Sequence, residues 1–343
     1  MSISHLGVGN RCRPASSTLL ETPFDWGIVP LTNTPQPGET QTSTPRTSTR
    51  PWGPRNWKLT LSYDGTDYRG WQVQPGEPTI QGELQSALGR VTGESPLPQG
   101  SGRTDAGVHA LGQVATFLLC APIPAQSLCR ALNRTLPAAI RVLEAKTVRS
   151  DFHARHSTVA KTYVYRVFLE RPQAGSDRIV ECPPTLARYV YSYPWPLHLE
   201  ALQDAARLFL GSHDFLSFAA TDPDTAARSG RRAVSGILSG GDDDTQPNAI
   251  RTIFGSRWEP ESSGETVLFI YRVRGNGFLH HMVRNLVGTM LDVGRGYRRA
   301  EEIPAMIAAR ARAAAGPTAP ARGLFLHSVE YSSDEQHLLK HDP

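Results

Sequence analysis

From Trp57 to about residue 333 the chain alternates strand-like and helix-like hydrophobic patterns, and that alternation most narrows the folds open to it. Residues 58–63 alternate as a strand and end at an Asp64-Gly65 turn, read as a hairpin-type turn. In 79–91, Ile80, Leu84, Leu88 and Val91 share one helical face, with Thr79 as N-cap. Strands are expected at 113–119 and 140–148, with a short helix around 125–134 between them. A strand at 161–169 sets Tyr163, Tyr165, Val167 and Leu169 on one side. The helix at 199–210 repeats Leu199, Leu202, Ala206 and Phe209 and stops at Gly211. A strand at 265–274 then leads into a helix beginning near Phe278. This order predicts an α+β chain of two halves, 57–150 and 151–333, each a mainly antiparallel sheet with helices on one face. With 343 residues, each half is long enough to bury a core.

Residues 1–56 differ in composition from the rest of the chain. They hold eight prolines, many threonines and serines, and no sustained period, so a disordered leader is expected. A polar stretch at 222–249, with Gly240-Gly241-Asp242-Asp243-Asp244, reads as a flexible surface insertion and lacks the spacing of an EF-hand loop. Residues 334–343 read as a tail. Cys12, Cys120, Cys129 and Cys182 form no C-x-x-C pair, which argues against a zinc ribbon or a disulfide framework and fits a reducing cytoplasm. No segment approaches ~18 uninterrupted apolar residues, so no membrane span is expected, and the N-terminus lacks the apolar core of a secretory signal. The formal charge of +4 is too small to imply a nucleic-acid partner by itself. Of the 36 basic residues 32 are arginine, which suits phosphate and base contacts, although a GC-rich genome produces the same bias.

Two segments carry candidate chemistry. Gly102-Arg103-Thr104-Asp105-Ala106-Gly107-Val108-His109-Ala110 sets a guanidinium and a carboxylate two residues apart in a glycine-flanked turn. If the segment is extended, Arg103 and Asp105 share a face, and the arginine steers an ionised carboxylate that can act as nucleophile or base. The bland alternative is an Asx-type turn in which Asp105 bonds only its own backbone. In the helix after Phe278, Leu279, Met282, Val283, Leu286, Val287 and Met290 form an apolar face. His281, Arg284, Asn285 and Gly288 lie opposite, as a solvated face or as the wall of a cleft.

"SGRTDAGVHALGQVATF" resembles the active-site segment of the tRNA pseudouridine synthase A family. Six further stretches resemble that family in the same order: "LSYDGTDYRGWQ", "TIQGELQSAL", "DFHARHSTVAKTYVYRV", "FLGSHDFLSF", "GFLHHMVRNLVGTMLDVG" and "GLFLHSVEY". The resemblance implies two ferredoxin-like (RRM-like) halves with a central active-site cleft. It implies isomerisation of uridine to pseudouridine at positions 38–40 of the tRNA anticodon arm, by homodimers that grip tRNA across both subunits. Asp105 is then the nucleophile on a flipped uridine, and Arg103 fills the vacated space or binds phosphate. Tyr163 lies against the uracil, Arg284 partners the carboxylate, and His109 contacts RNA near the flipped base. The product is an isomer of the substrate, so the reaction calls for no redox cofactor or energy donor.

Two rival functions compete. "LSYDGT" resembles the D-x-D-G-T motif of haloacid-dehalogenase phosphatases, but Ser62 stands where the nucleophilic aspartate belongs. A non-catalytic RNA-binding module is the other, against which the intact set Arg103, Asp105 and Tyr163 counts. His280 and His281 are adjacent and lack i, i+4 spacing, so no helical zinc pair and no metal site are expected.

Overall fold

Period-2 patterning builds a sheet whose two faces bury different residues. The computed structural model describes residues 53–171, 179–220, 249–263 and 266–332. The strands are β1 (Arg55–Tyr63), β2 (Gln99–Gly100), β3 (His109–Leu119), β4 (Ile140–Val148), β5 (Thr158–Leu169), β6 (Tyr191–Tyr193), β7 (Gly211–Asp214), β8 (Ile250–Ser263), β9 (Thr266–Gly275) and β10 (Leu324–Tyr331). The helices are α1 (Ile80–Thr92), α2 (Ala125–Thr135), the single turn α3 (Pro184–Ala187), α4 (Leu199–Arg207), α5 (Met282–Gly294) and α6 (Ile303–Ala308). The main sheet runs in the order β4-β1-β3-β10-β5-β9-β8-β7, with β2 added to β3 and β6 to β5. Pairing is antiparallel except at β10–β3 and β5–β6. The fold is therefore α+β with a mixed sheet.

Alternation assigns each strand's residues to a side. In β5, Tyr163, Tyr165, Val167 and Leu169 enter the main core, whereas Val164 and Phe168 enter a smaller cluster on the other face. β9 and β10 divide in the same way, Tyr271 and Leu326 to one side, Ile270 and Phe325 to the other. The main core also takes Leu84 and Leu88 of α1, Leu128 and Leu132 of α2, Leu202 of α4, Leu286 and Met290 of α5, and Met306 of α6. These helices thus form one layer over one face. The opposite face is closed by the segment around α3, with Leu186 and Val190, and by Phe152 and Ala154.

Local signals account for most elements. Thr79 caps α1, its Oγ1 accepting from Gly82 N at 3.3 Å, and Gly93 ends it at φ 74°. β4 covers the residues its pattern predicts, and α2 extends one residue further. The structure departs from the pattern at three places. The Asp64-Gly65 turn opens no hairpin: Thr66 N and Oγ1 both donate to Asp64 Oδ1 (3.0 and 2.6 Å), and the chain runs on to α1. β8 has no counterpart in the pattern, because a register shift between Ile253 and Gly255 breaks its alternation. The helix expected near Phe278 begins at Met282, since His281 adopts the left-handed conformation (φ 59°, ψ 2°) and no helix passes through such a residue. The leader up to residue 52, the insertion except Ala249, and the tail lie outside the described residues.

The polar face of α5 is buried at Asn285 and Gly288 and only partly exposed at His281 and Arg284. Asn285, Gly288 and Thr289 lie beneath the strap 315–320. Asn285 Nδ2 donates to Phe218 O (2.7 Å), and its Oδ1 accepts from Thr318 Oγ1 (2.6 Å) and Arg312 Nη2 (3.1 Å). Thr289 Oγ1 accepts from Gly316 N at 2.8 Å. A Cβ on Gly288 would stand 1.7 Å from Pro317 O, so only glycine allows this approach. Helix propensity alone predicts that Gly288→Ala stabilises by about 1 kcal/mol. The strap contact predicts the reverse, a loss of about 1–3 kcal/mol from overpacking, and the sign of the change in thermal midpoint decides between them.

Candidate active site

The loop between β2 and β3 carries Asp105 and is gripped from both sides. On its approach, Lys161 Nζ donates to Ser101 O (2.5 Å) and Gln113 Nε2 to Gly102 O (2.9 Å). Burial, helped by Arg155 and Arg251, pulls the Lys161 ammonium down to about 8. Beneath the loop lies the 64–71 segment. Trp71 N donates to Thr104 O (3.0 Å), Gly107 N to Tyr68 O (3.2 Å), and Tyr63 Oη pairs with Thr104 Oγ1 (2.9 Å). Burial pushes the Tyr63 phenol up to about 12. Gly70 sits at φ 88°, and a Cβ there would lie 2.4 Å from Thr104 O. Asp105 then opens a β-turn: its carbonyl accepts from Val108 N at 3.1 Å, and Gly107 supplies the positive φ of 76° at the third position.

The Asp105 carboxylate meets groups from the distant α5 region. Arg284 Nη1 lies 3.0 Å from Oδ2, and the two side chains are 15% and 19% exposed. Arg284 Nε donates to Ala319 O (2.7 Å), so the strap aims the guanidinium. His281 Nε2 is 3.3 Å from Oδ2 and His280 Nε2 is 3.5 Å from Oδ1. Burial lowers the pKa of His281, against the raising influence of Asp105, with His280, Arg284 and Arg312 adding to the lowering. These contacts favour a carboxylate engaged in a cluster over the self-bonded Asx turn. The three atoms of Asp105, His280 and His281 lie within 4.8 Å of one another, close enough to share a metal ion. Arg284 already holds Oδ2, however, and a cation there would face a guanidinium, so the donor set does not suit a resident metal.

Tyr163 is buried, edge-on to Phe278 with centroids 5.1 Å apart. Burial, then Tyr63 and Asp105, raise its phenol well above the usual range. Asp105 and Arg284 are thus in contact although they are far apart in sequence, and Tyr163 is near enough to feel the Asp105 charge. Arg103 is exposed on the same loop.

His109 lies apart from the cluster. It is 1% exposed, takes the Gly65 N–H on Nδ1 (3.1 Å), lies 3.2 Å from Asp64 Oδ1, and stacks on Phe325 at 4.6 Å. Its Nε2 is 3.2 Å from the carbonyls of Arg188 and Arg322. Burial lowers its pKa against the opposing pull of Asp64.

Little in the local pattern marks His280 and His281 as partners of Asp105. The signal for His281 lay in its i, i+3 spacing to Arg284; His280 left none. Lys161, which holds the loop, was equally invisible, being one more charge in a strand.

The family model described as tRNA pseudouridine synthase matches residues 60–157 and 205–332, more than half of the chain, including Asp105, His280, His281 and Arg284. Tyr163 falls between the matched spans. The chain is 44% identical over 277 residues to a tRNA pseudouridine synthase A of Solibacter usitatus, covering 81% of this chain and 100% of that protein. It is 40% identical over 278 residues to one of Bacillus pumilus, covering 80% and 99%. With one of Moorella thermoacetica it shares 43% over 277 residues, covering 80% and 98%. Given this agreement over nearly the whole length of such relatives, the chain belongs to the tRNA pseudouridine synthase family, isomerases that make pseudouridine in tRNA.

Proposed function

We propose that the protein isomerises uridines at positions 38–40 in the anticodon arm of tRNA, with Asp105 as nucleophile on a flipped base. The observation that carries this reading is the Asp105 carboxylate, four-fifths withdrawn from water and held by Arg284 from the far end of the chain. The C1′–N1 bond breaks, the uracil turns, and a C5–C1′ bond forms. N1 gains a proton and the proton on C5 is lost, so atoms balance without a cofactor. Attack begins at C6 of the base or at C1′ of the sugar.

Flipping costs a few kcal/mol. The exposed Arg103 suits the vacated space or a phosphate. Tyr163 suits the wall beside the uracil; because burial keeps its hydroxyl protonated, it would pass on the C5 proton as a relay and not as a standing phenolate. His109, holding the Gly65 N–H and stacked on Phe325, fits a support behind the turn better than a contact to RNA.

We also read the sheet as two ferredoxin-like halves joined where β3 meets β10, a reading supported by the strand–helix order on each side of that seam. A homodimer gripping tRNA across both subunits rests on the family likeness. A cytoplasmic setting rests on the cysteines: among the described residues Cys120, Cys129 and Cys182 are free. No helix of the described residues is long and apolar enough to cross a membrane.

Tritium release from tRNA labelled at uridine C5 tests the chemistry. Wild type should release tritium and Asp105→Ala should not, while tRNA binding is largely kept; release by Asp105→Ala at the wild-type rate would remove Asp105 from the role. If the grip uses several phosphates, tRNA affinity should fall by roughly a thousandfold or more between about 50 and 200 mM salt. A flat response in a filter-binding titration would contradict a phosphate-based grip.

A further inference from the structure

The adjacent imidazoles of His280 and His281 touch Asp105, and the proposed chemistry gives them no task. They approach different oxygens, His281 Nε2 at 3.3 Å from Oδ2 and His280 Nε2 at 3.5 Å from Oδ1. Distances of this length are usual before substrate binds, since hydrogen bonds in reactive sites tighten in the complex. The two rings lie 4.0 Å apart with their planes at 34°, so each limits the other's rotation.

The backbones are held as well. His280 O accepts from Ala220 N (3.0 Å), and His281 O accepts from Asn285 N (3.0 Å) as the first bond of α5. His281 occupies left-handed space that non-glycine residues rarely enter, and such strain concentrates where a side chain must be aimed. His280 Nδ1 is buried with no hydrogen-bond partner among the described residues. A proton there would be an unsatisfied buried donor, so the favoured tautomer carries its proton on Nε2, facing the carboxylate.

We infer that His280 and His281 are positioning residues: each donates its Nε2–H to one oxygen of Asp105, and together with Arg284 they fix the orientation of the carboxylate for attack. The inference rests on Asp105 being the nucleophile. A neutral His281 restrains the carboxylate without adding further positive charge beside it. Burial, which lowers the pKa of His281, favours its neutral form.

Substitution at 281 separates the donor from the backbone. His281→Gln keeps an Nε2 donor at similar reach and keeps the strained φ; His281→Gly removes the donor and relieves the strain. His281→Ala and His281→Gly should lower kcat for tritium release by about 10- to 100-fold, as expected for a misaligned nucleophile, with KM for tRNA unchanged. His281→Gln should recover most of that loss. His280→Ala and His280→Gln, where no backbone strain intervenes, should show the same pattern and keep the test open should a 281 variant fail to fold. Recovery by glycine and not by glutamine would overturn the inference in favour of a backbone role. Wild-type turnover in all five variants would overturn it outright. Asp105→Ala separates the two levels: if it turns over like wild type, the nucleophile reading fails and this inference with it. If only Asp105→Ala is dead, the positioning role alone is lost.

Discussion

A carboxylate withdrawn from water must be met by donors, and for Asp105 they come from residues 280–284 at the start of α5, with Arg284 lying 179 residues further along the chain. Removing one partner of a buried charge pair costs about 3–5 kcal/mol, chiefly because the other charge is left behind. Asp105 therefore constrains everything that brings β3 and α5 together. The loop can be tight and the strap can be close only if sheet and helix layer meet in one register.

That register is set at a short seam. β3 and β10 pair in parallel over only Phe325–His109 and Leu326–Ala110, directly after the Asp105 turn. Two ladder positions are a weak join by themselves. They are reinforced by the stacking of His109 on Phe325, the Gly65 N–H donated to His109 Nδ1, and the common core beneath both strands. Tyr165 of β5 extends the join by donating to Pro320 O at 2.7 Å, which steadies the strap that aims Arg284. His109 thus serves the site from behind, through the seam.

The site divides its labour between a loop and a helix start. The loop presents the Asp105 carboxylate and is held by backbone bonds from 68–71 and by Lys161 and Gln113. The helix start supplies the groups that meet it, on residues pinned to the 215–220 segment and the strap. Rigid support on both sides suits a reaction in which a freed base must turn without escaping. Tyr163 and Phe278 pack edge to face, an apolar pair with a single hydroxyl.

Where one face of an element packs on the core, local pattern was enough to read it: the alternation of 140–148, the Thr79 cap and the split faces of β5 all arise from side-chain periodicity and local capping. Where tertiary contact overrode period, it was not. A bulge hid β8, the left-handed His281 moved the start of α5 by four residues, and the strap turned a polar helix face inward. Asp105, Arg284 and Tyr163 were legible as candidates from the motifs that hold them, but their meeting was not. By itself the sequence determined most of the elements, the α+β class and the chemical types available, because these depend on neighbours within a turn or a strand. Only the tertiary structure decided that His280 and His281 face Asp105 and that His109 does not, because side-chain partners so far apart in the chain are chosen by the packing of the sheet against its helices.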